Sequence, residues 1–93
     1  MVLLEELAKL FPDLTRSEIH ALAIIIRSDK PLTRKDVFLR MAMSGAPQSY
    51  SNVGKILKKL TSRRLLMVYR QEYYIGPGLV EELIKRSGGS VEA

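Results

Sequence analysis

Residues 19–26, Ile-His-Ala-Leu-Ala-Ile-Ile-Ile, constrain the fold of this chain more than any other segment. Ile19, Leu22, Ala23 and Ile26 share one stripe at helical spacing, and Ala21, Ile24 and Ile25 widen that stripe beyond what one neighbour covers. Thr15 stands three residues before Glu18, the spacing at which each side chain satisfies a backbone donor of the other at a helix start. Residues 15–28 are therefore expected to form a central helix packed on more than one side. A chain of 93 residues builds one core of that kind, so the other elements must be arranged around it.

Those elements follow from the same signals. Leu3, Leu4, Leu7, Leu10 and Phe11 predict an amphipathic helix over residues 1–11, stopped by Pro12-Asp13. Thr33 and Asp36 repeat the capping spacing at the head of a helix over 33–43, with Val37, Phe38 and Met41 inward and Arg34, Lys35 and Arg40 outward. Met41 and Met43 are expected to fill gaps in the core, and His20 to lie at the surface or in an interface. Ser44-Gly45-Ala46-Pro47 breaks that helix, and Ser49 caps the next, over 49–62, whose single buried stripe is Val53, Ile56, Leu57 and Leu60.

Beyond Arg64 the pattern changes. Leu65 to Tyr69 and Tyr73 to Ile75, on either side of Arg70-Gln71-Glu72, predict a hairpin over 65–75. Tyr69, Tyr73 and Tyr74 are expected to pack on the strands. Gly76-Pro77-Gly78 ends the hairpin, Leu79, Val80, Leu83 and Ile84 mark a last helix over 79–86, and residues 87–93 read as a flexible tail. The expectation is one domain, residues 1–86, mainly α with a small β-hairpin (α+β).

Several function classes are disfavoured. The chain has no cysteine and one histidine, so no disulfide framework, thiolate nucleophile or metal-ligating set is expected. No nucleophile, base and orienting group recur at a recognisable spacing, so neither enzymatic activity nor a cofactor is expected. The longest apolar run, residues 21–26, is far below the roughly 18–20 residues that cross a bilayer. Glu5 and Glu6 stand where a signal peptide places positive charge, which predicts a cytoplasmic, nucleoid-associated protein without membrane contact.

The formal net charge is +5, and its placement matters more than its size. Residues 49–70 hold Lys55, Lys58, Lys59, Arg63, Arg64 and Arg70 and no acid. The order helix, helix, helix, basic helix, hairpin, helix is the layout of a winged helix-turn-helix. In that layout the basic helix enters the major groove of duplex DNA, its leading end meeting base edges while cations neutralise phosphates. Gln48, Ser49, Tyr50, Ser51 and Asn52 are then the candidates for base or water-mediated contacts, and Lys55, Lys58 and Lys59 for phosphate or base-edge contacts. Gly54 would let the exposed face approach closely. Arg34, Lys35 and Arg40 could grip the backbone across the groove, and Arg70 could reach it from the hairpin tip. A basic helical face with no partner is also simply a solvated face.

Residues 14–22, Leu-Thr-Arg-Ser-Glu-Ile-His-Ala-Leu, and 31–37, Pro-Leu-Thr-Arg-Lys-Asp-Val, resemble the opening of MarR-type winged-helix regulators. Residues 51–60, Ser-Asn-Val-Gly-Lys-Ile-Leu-Lys-Lys-Leu, and 63–66, Arg-Arg-Leu-Leu, are similar to the family's following helix and strand entry. The resemblance covers residues 14–75 and consists of residue types at matching positions; the connection before residue 51 is longer than the family's tight turn, and the wing is short. It implies a sequence-specific, double-stranded DNA-binding transcriptional regulator, a repressor, paired as a homodimer through its terminal helices. Two other readings stay open: a winged-helix module binding protein in a transcription or replication assembly, and a DNA-organising protein without sequence preference.

Overall fold

The computed structural model describes residues 2–86, so the expected tail at 87–93 lies outside the described residues. The elements in chain order are α1 (Val2–Leu10), α2 (Arg16–Arg27), β1 (Leu32–Thr33), α3 (Arg34–Met43), α4 (Tyr50–Ser62), β2 (Leu66–Tyr69), β3 (Glu72–Ile75) and α5 (Pro77–Arg86). The described residues are α+β: five helices with a small antiparallel sheet in the order β1-β3-β2.

Helix α2 is the keel of the molecule. Its Ile19 and all of Ala21, Leu22, Ala23, Ile24 and Ile25 are buried, and it meets α1, α3, α4 and β3, as its nearly all-round apolar surface requires. The expected capping box is present: Thr15 N–H donates to Glu18 Oε1 at 2.8 Å and Glu18 N–H to Thr15 Oγ1 at 3.2 Å. Thr33 and Asp36 do the same at the head of α3, with the Thr33 N–H donating to Asp36 at 3.1 Å. Around α2 are layered Leu7 and Phe11 from the α1 side, Val37 and Met41 of α3, the α4 stripe of Val53, Ile56, Leu57 and Leu60, and Leu32, Leu65, Leu66 and Leu79.

Two helix ends close by the same device. At α3, Ala46 N–H bonds Met41 O and Gly45 N–H bonds Ala42 O, with Gly45 at φ 85°. At α4, Leu65 N–H bonds Leu60 O and Arg64 N–H bonds Thr61 O, with Arg64 at φ 64°. Both are Schellman caps, but only the first has glycine at the left-handed position.

The structure differs from expectation in four places. Strand β1 has no periodic pattern to announce it; the extended backbone that Thr33 adopts as an N-cap lets Leu32 pair with Tyr73 and Thr33 with Glu72. The hairpin loop is Arg70-Gln71 alone, with φ of 51° and 68°, so Glu72 belongs to β3. Positive φ at both loop residues is the signature of a type I′ turn, whose twist matches that of the strands. Helix α5 begins at Pro77, where a missing N–H and fixed φ suit a first helical residue, not at Leu79. Met43 is 82% exposed while Met41 is fully buried, because two residues along a helix is about half a turn.

Two contacts fix the ends of the core. Gly76 and Gly78 N–H groups donate to Leu65 O and Arg64 O, and a Cβ at either glycine would lie 2.5 or 2.7 Å from Arg64 O. Glycine is therefore what lets α5 start flush against the strand entry. His20 is half-buried and bridges α2 to the α3 cap, its Nε2 2.8 Å from Ser44 Oγ.

Candidate nucleic-acid interface

Helix α4 carries most of the candidate residues, and its surroundings sort them. Ser49 caps it, the side chain accepting the Asn52 N–H at 3.1 Å. The rear stripe, Val53, Ile56, Leu57 and Leu60, is buried against the core.

One flank is fastened to the first turn of α2. Gln48 Nε2 donates to Ser17 Oγ at 3.0 Å, and Asn52 Nδ2 donates to Gln48 Oε1. Two turns on, Lys59 Nζ donates to Glu18 Oε1 at 3.1 Å. Arg63 pairs with Asp13, and its guanidinium lies 6.0 Å from the Phe11 ring centroid. Glu18 is 8% exposed, and burial alone would raise its pKa. The hydrogen bond from the Thr15 N–H and the Lys59 ammonium outweigh that effect and hold the carboxyl below its ordinary value. Gln48, Asn52 and Lys59 thus orient α4 on α2, so their side chains are already engaged within the molecule.

The opposite flank faces α3. The Arg34 guanidinium lies 4.1 Å from the Tyr50 ring centroid, and Phe38 meets the same ring edge-on at 5.4 Å and 82°. A Cβ on Gly54 would stand 2.6 Å from Arg34 Nη1. The gap that Gly54 leaves is therefore occupied by Arg34. A glycine inside a helix costs about 1 kcal/mol relative to alanine, so its presence signals a close approach of this kind.

Between these flanks runs an outward row. Ser51, Lys55, Lys58 and Ser62 recur at helical spacing, and all four are exposed. Among the described residues neither Lys55 nor Lys58 has an ion-pair partner. Of the six cations in residues 49–70, Lys59, Arg63 and Arg64 pair with Glu18, Asp13 and Glu81, while Lys55, Lys58 and Arg70 have no ion-pair partner among the described residues. Arg70 lies over the ring of its neighbour Tyr69 at 5.2 Å, at the hairpin tip.

A cleft of about 600 Å³ opens beside α4, with Arg34, Lys35 and Tyr50 on its helical side and Val68, Gln71 and Tyr73 on its hairpin side. Thr33 completes the lining, which contains no acidic side chain. Asp36 is turned away to accept the Thr33 N–H, a bond that holds its carboxyl below the ordinary value. The sequence alone offers Arg34 and Lys35 as flanking cations; the part of Gln71 depends on the tight turn and carries no sequence signal of its own.

No His, Cys, Asp or Glu group able to hold a metal ion occurs among the described residues, and no described helix is long and apolar enough to cross a membrane. Comparison with protein-family models, with curated proteins and with solved structures returns no significant match. The likeness to MarR-type regulators therefore rests on the residue pattern alone.

Proposed function

We propose that this protein is a small winged-helix transcriptional regulator that binds double-stranded DNA sequence-specifically as a homodimer and acts as a repressor. The observation that carries the reading is the outward row of α4, where Lys55 and Lys58 are exposed and uncompensated behind Ser51 while the rest of the helix is fastened into the molecule. A row of that kind fits the major groove, with Ser51 at base edges and the lysines at phosphates or guanine edges. Tyr50 at the same end is 43% exposed, enough to touch a thymine methyl or a phosphate.

Pairing is supported by α5. Leu79 is buried, whereas Val80, Leu83 and Ile84 are each nearly half exposed along the outer side of the helix. Helix α1 supports it less, since Leu7 and Phe11 on that side are already in the core. A two-fold dimer places two copies of α4 on half-sites about 10 base pairs apart in a palindromic site. Sedimentation of wild type and of Val80→Asp/Leu83→Asp tests this: a dimer that dissociates in the variant is expected, and a monomeric wild type overturns pairing.

Electrophoretic titration of duplex DNA at several salt concentrations, with selection from a random duplex pool, tests the DNA reading. A steep loss of affinity with salt and an enriched sequence are expected. A salt slope near zero overturns it. A second reading, a protein-interaction module, is favoured by the hairpin: Met67, Val68, Tyr69 and Ile75 are exposed there beside a single cation, Arg70. Salt-insensitive DNA binding together with capture of a defined protein partner through these residues would support it.

A further inference from the structure

We infer that the cleft between α3, α4 and the hairpin is a seat for one backbone phosphodiester, with Arg34 as its ligand and Tyr50 and Gly54 as the residues that position Arg34. The inference rests on the DNA-binding reading and assigns the cleft a part separate from that of the outer row. Arginine side chains on a surface ordinarily sample many rotamers, and ordering one on binding weakens the contact it makes. Here the guanidinium already has contacts of its own that restrict it. Tyr50 supplies a ring face 4.1 Å away, Phe38 braces that ring from its edge, and the missing Cβ of Gly54 provides the space for Nη1.

A guanidinium held over a ring face still has N–H donors to offer two phosphate oxygens. Lys35 adds a second positive charge to the same lining, and Gln71 adds an amide from the hairpin side. Asp36, the acid nearest in sequence, is occupied by the Thr33 N–H, and Glu72, which pairs with Thr33 across the sheet, is not part of the lining. Chemistry for an anion with little hydrophobic bulk is thus assembled at one place.

Gly54 makes the inference separable from a merely structural role. Its added Cβ would collide only with the far end of a flexible side chain, so Gly54→Ala displaces the guanidinium without disturbing the backbone. Alanine is also the better helix former. Gly54→Ala is therefore expected to melt within about 5 °C of wild type while lowering the slope of log affinity against log salt by about 0.9, the value of one lost phosphate contact. Arg34→Gln should lower the slope equally. The double variant should lose no more than either single one, because both act through one guanidinium. Lys9→Gln, on α1, is the control and should leave the slope unchanged.

An unaltered slope in Gly54→Ala, or losses that add in the double variant, would overturn the inference while leaving the DNA reading intact. A second measurement covers the opposite case: titration of the labelled wild-type protein with inorganic pyrophosphate, followed by nuclear magnetic resonance. If duplex DNA does not bind yet pyrophosphate shifts the Arg34 Nε–H and Gly54 N–H signals, the cleft stands as an anion site and the DNA reading falls. No shift there, with no binding of duplex, overturns both.

Discussion

The two sides of α4 use the same residue types for opposite purposes. On the side facing α2, Lys59 meets Glu18 and Arg63 meets Asp13. On the outward row Lys55 and Lys58 meet no described acid and face solvent. Lys58 and Lys59 are consecutive in the chain but about 100° apart on the helix, and that rotation alone separates an exposed charge from a tie. A cation's position in sequence therefore says how much charge a segment holds, and only its rotation about the helix says how much is presented.

The strongest way to break this contrast is to remove the stripe that sets the rotation. Leu57 is fully buried, and Leu57→Ala should cost about 2–5 kcal/mol in chemical denaturation, abolishing both sides together. Charge reversal of the outward row separates them. Lys55→Glu/Lys58→Glu should weaken duplex binding by at least about 100-fold near physiological salt with an unchanged melting curve, since both side chains are exposed. A comparable loss of stability would show that the row is structural instead.

The inner side should answer in the opposite sense. Lys59→Met should cost about 1 kcal/mol of stability by leaving Glu18 with the Thr15 N–H alone, and should change duplex binding far less than the outward pair. Glu18 and Asp36 both have lowered pKa values in the folded chain, so the unfolded chain takes up protons first as pH falls. The stability they contribute is complete above about pH 5 and is lost as pH drops through the ordinary carboxylate range toward the lowered values. Glu18→Gln should flatten that part of a melting-temperature profile against pH. The smallest effect belongs to Arg64, which holds a left-handed conformation and an exposed, 3.8 Å contact to Glu81. Arg64→Gly should raise stability by about 0.5–1 kcal/mol, and a loss would give the Glu81 contact more weight than exposed pairs normally carry.

The helices were legible because their signals are local. Thr15 with Glu18 and Thr33 with Asp36 announce the capping boxes by spacing, and the stripe from Val53 to Leu60 announces the inner face of α4 by period. Strand β1 was illegible because its two residues bond to β3, some forty residues away, and no local pattern encodes that partner. The hairpin was visible but its turn was not, since Arg-Gln lacks the glycine or asparagine that ordinarily marks a type I′ loop. The candidate site was half legible. The segment of residues 49–70 stands out by its charge, but the engagement of Gln48, Asn52 and Lys59 depends on Ser17 and Glu18, whose proximity arises only when α4 lies across α2. Gly54 signals space in the sequence, but the occupant of that space, Arg34, belongs to another helix.

The fastening of α4 onto α2 has a consequence for how such a chain can change over evolutionary time. Helix α3 is already closed at Gly45, and α4 takes its bearing from its buried stripe and from the ties to Ser17, Glu18 and Asp13 rather than from the stretch that joins it to α3. The stretch around Ala46 and Pro47 then joins two helices that are each positioned by other contacts. Insertions or deletions there are expected to leave the helix aimed as it is, whereas changes to the surface it lies on would re-aim it, so drift in length and drift in orientation are governed by different parts of the gene.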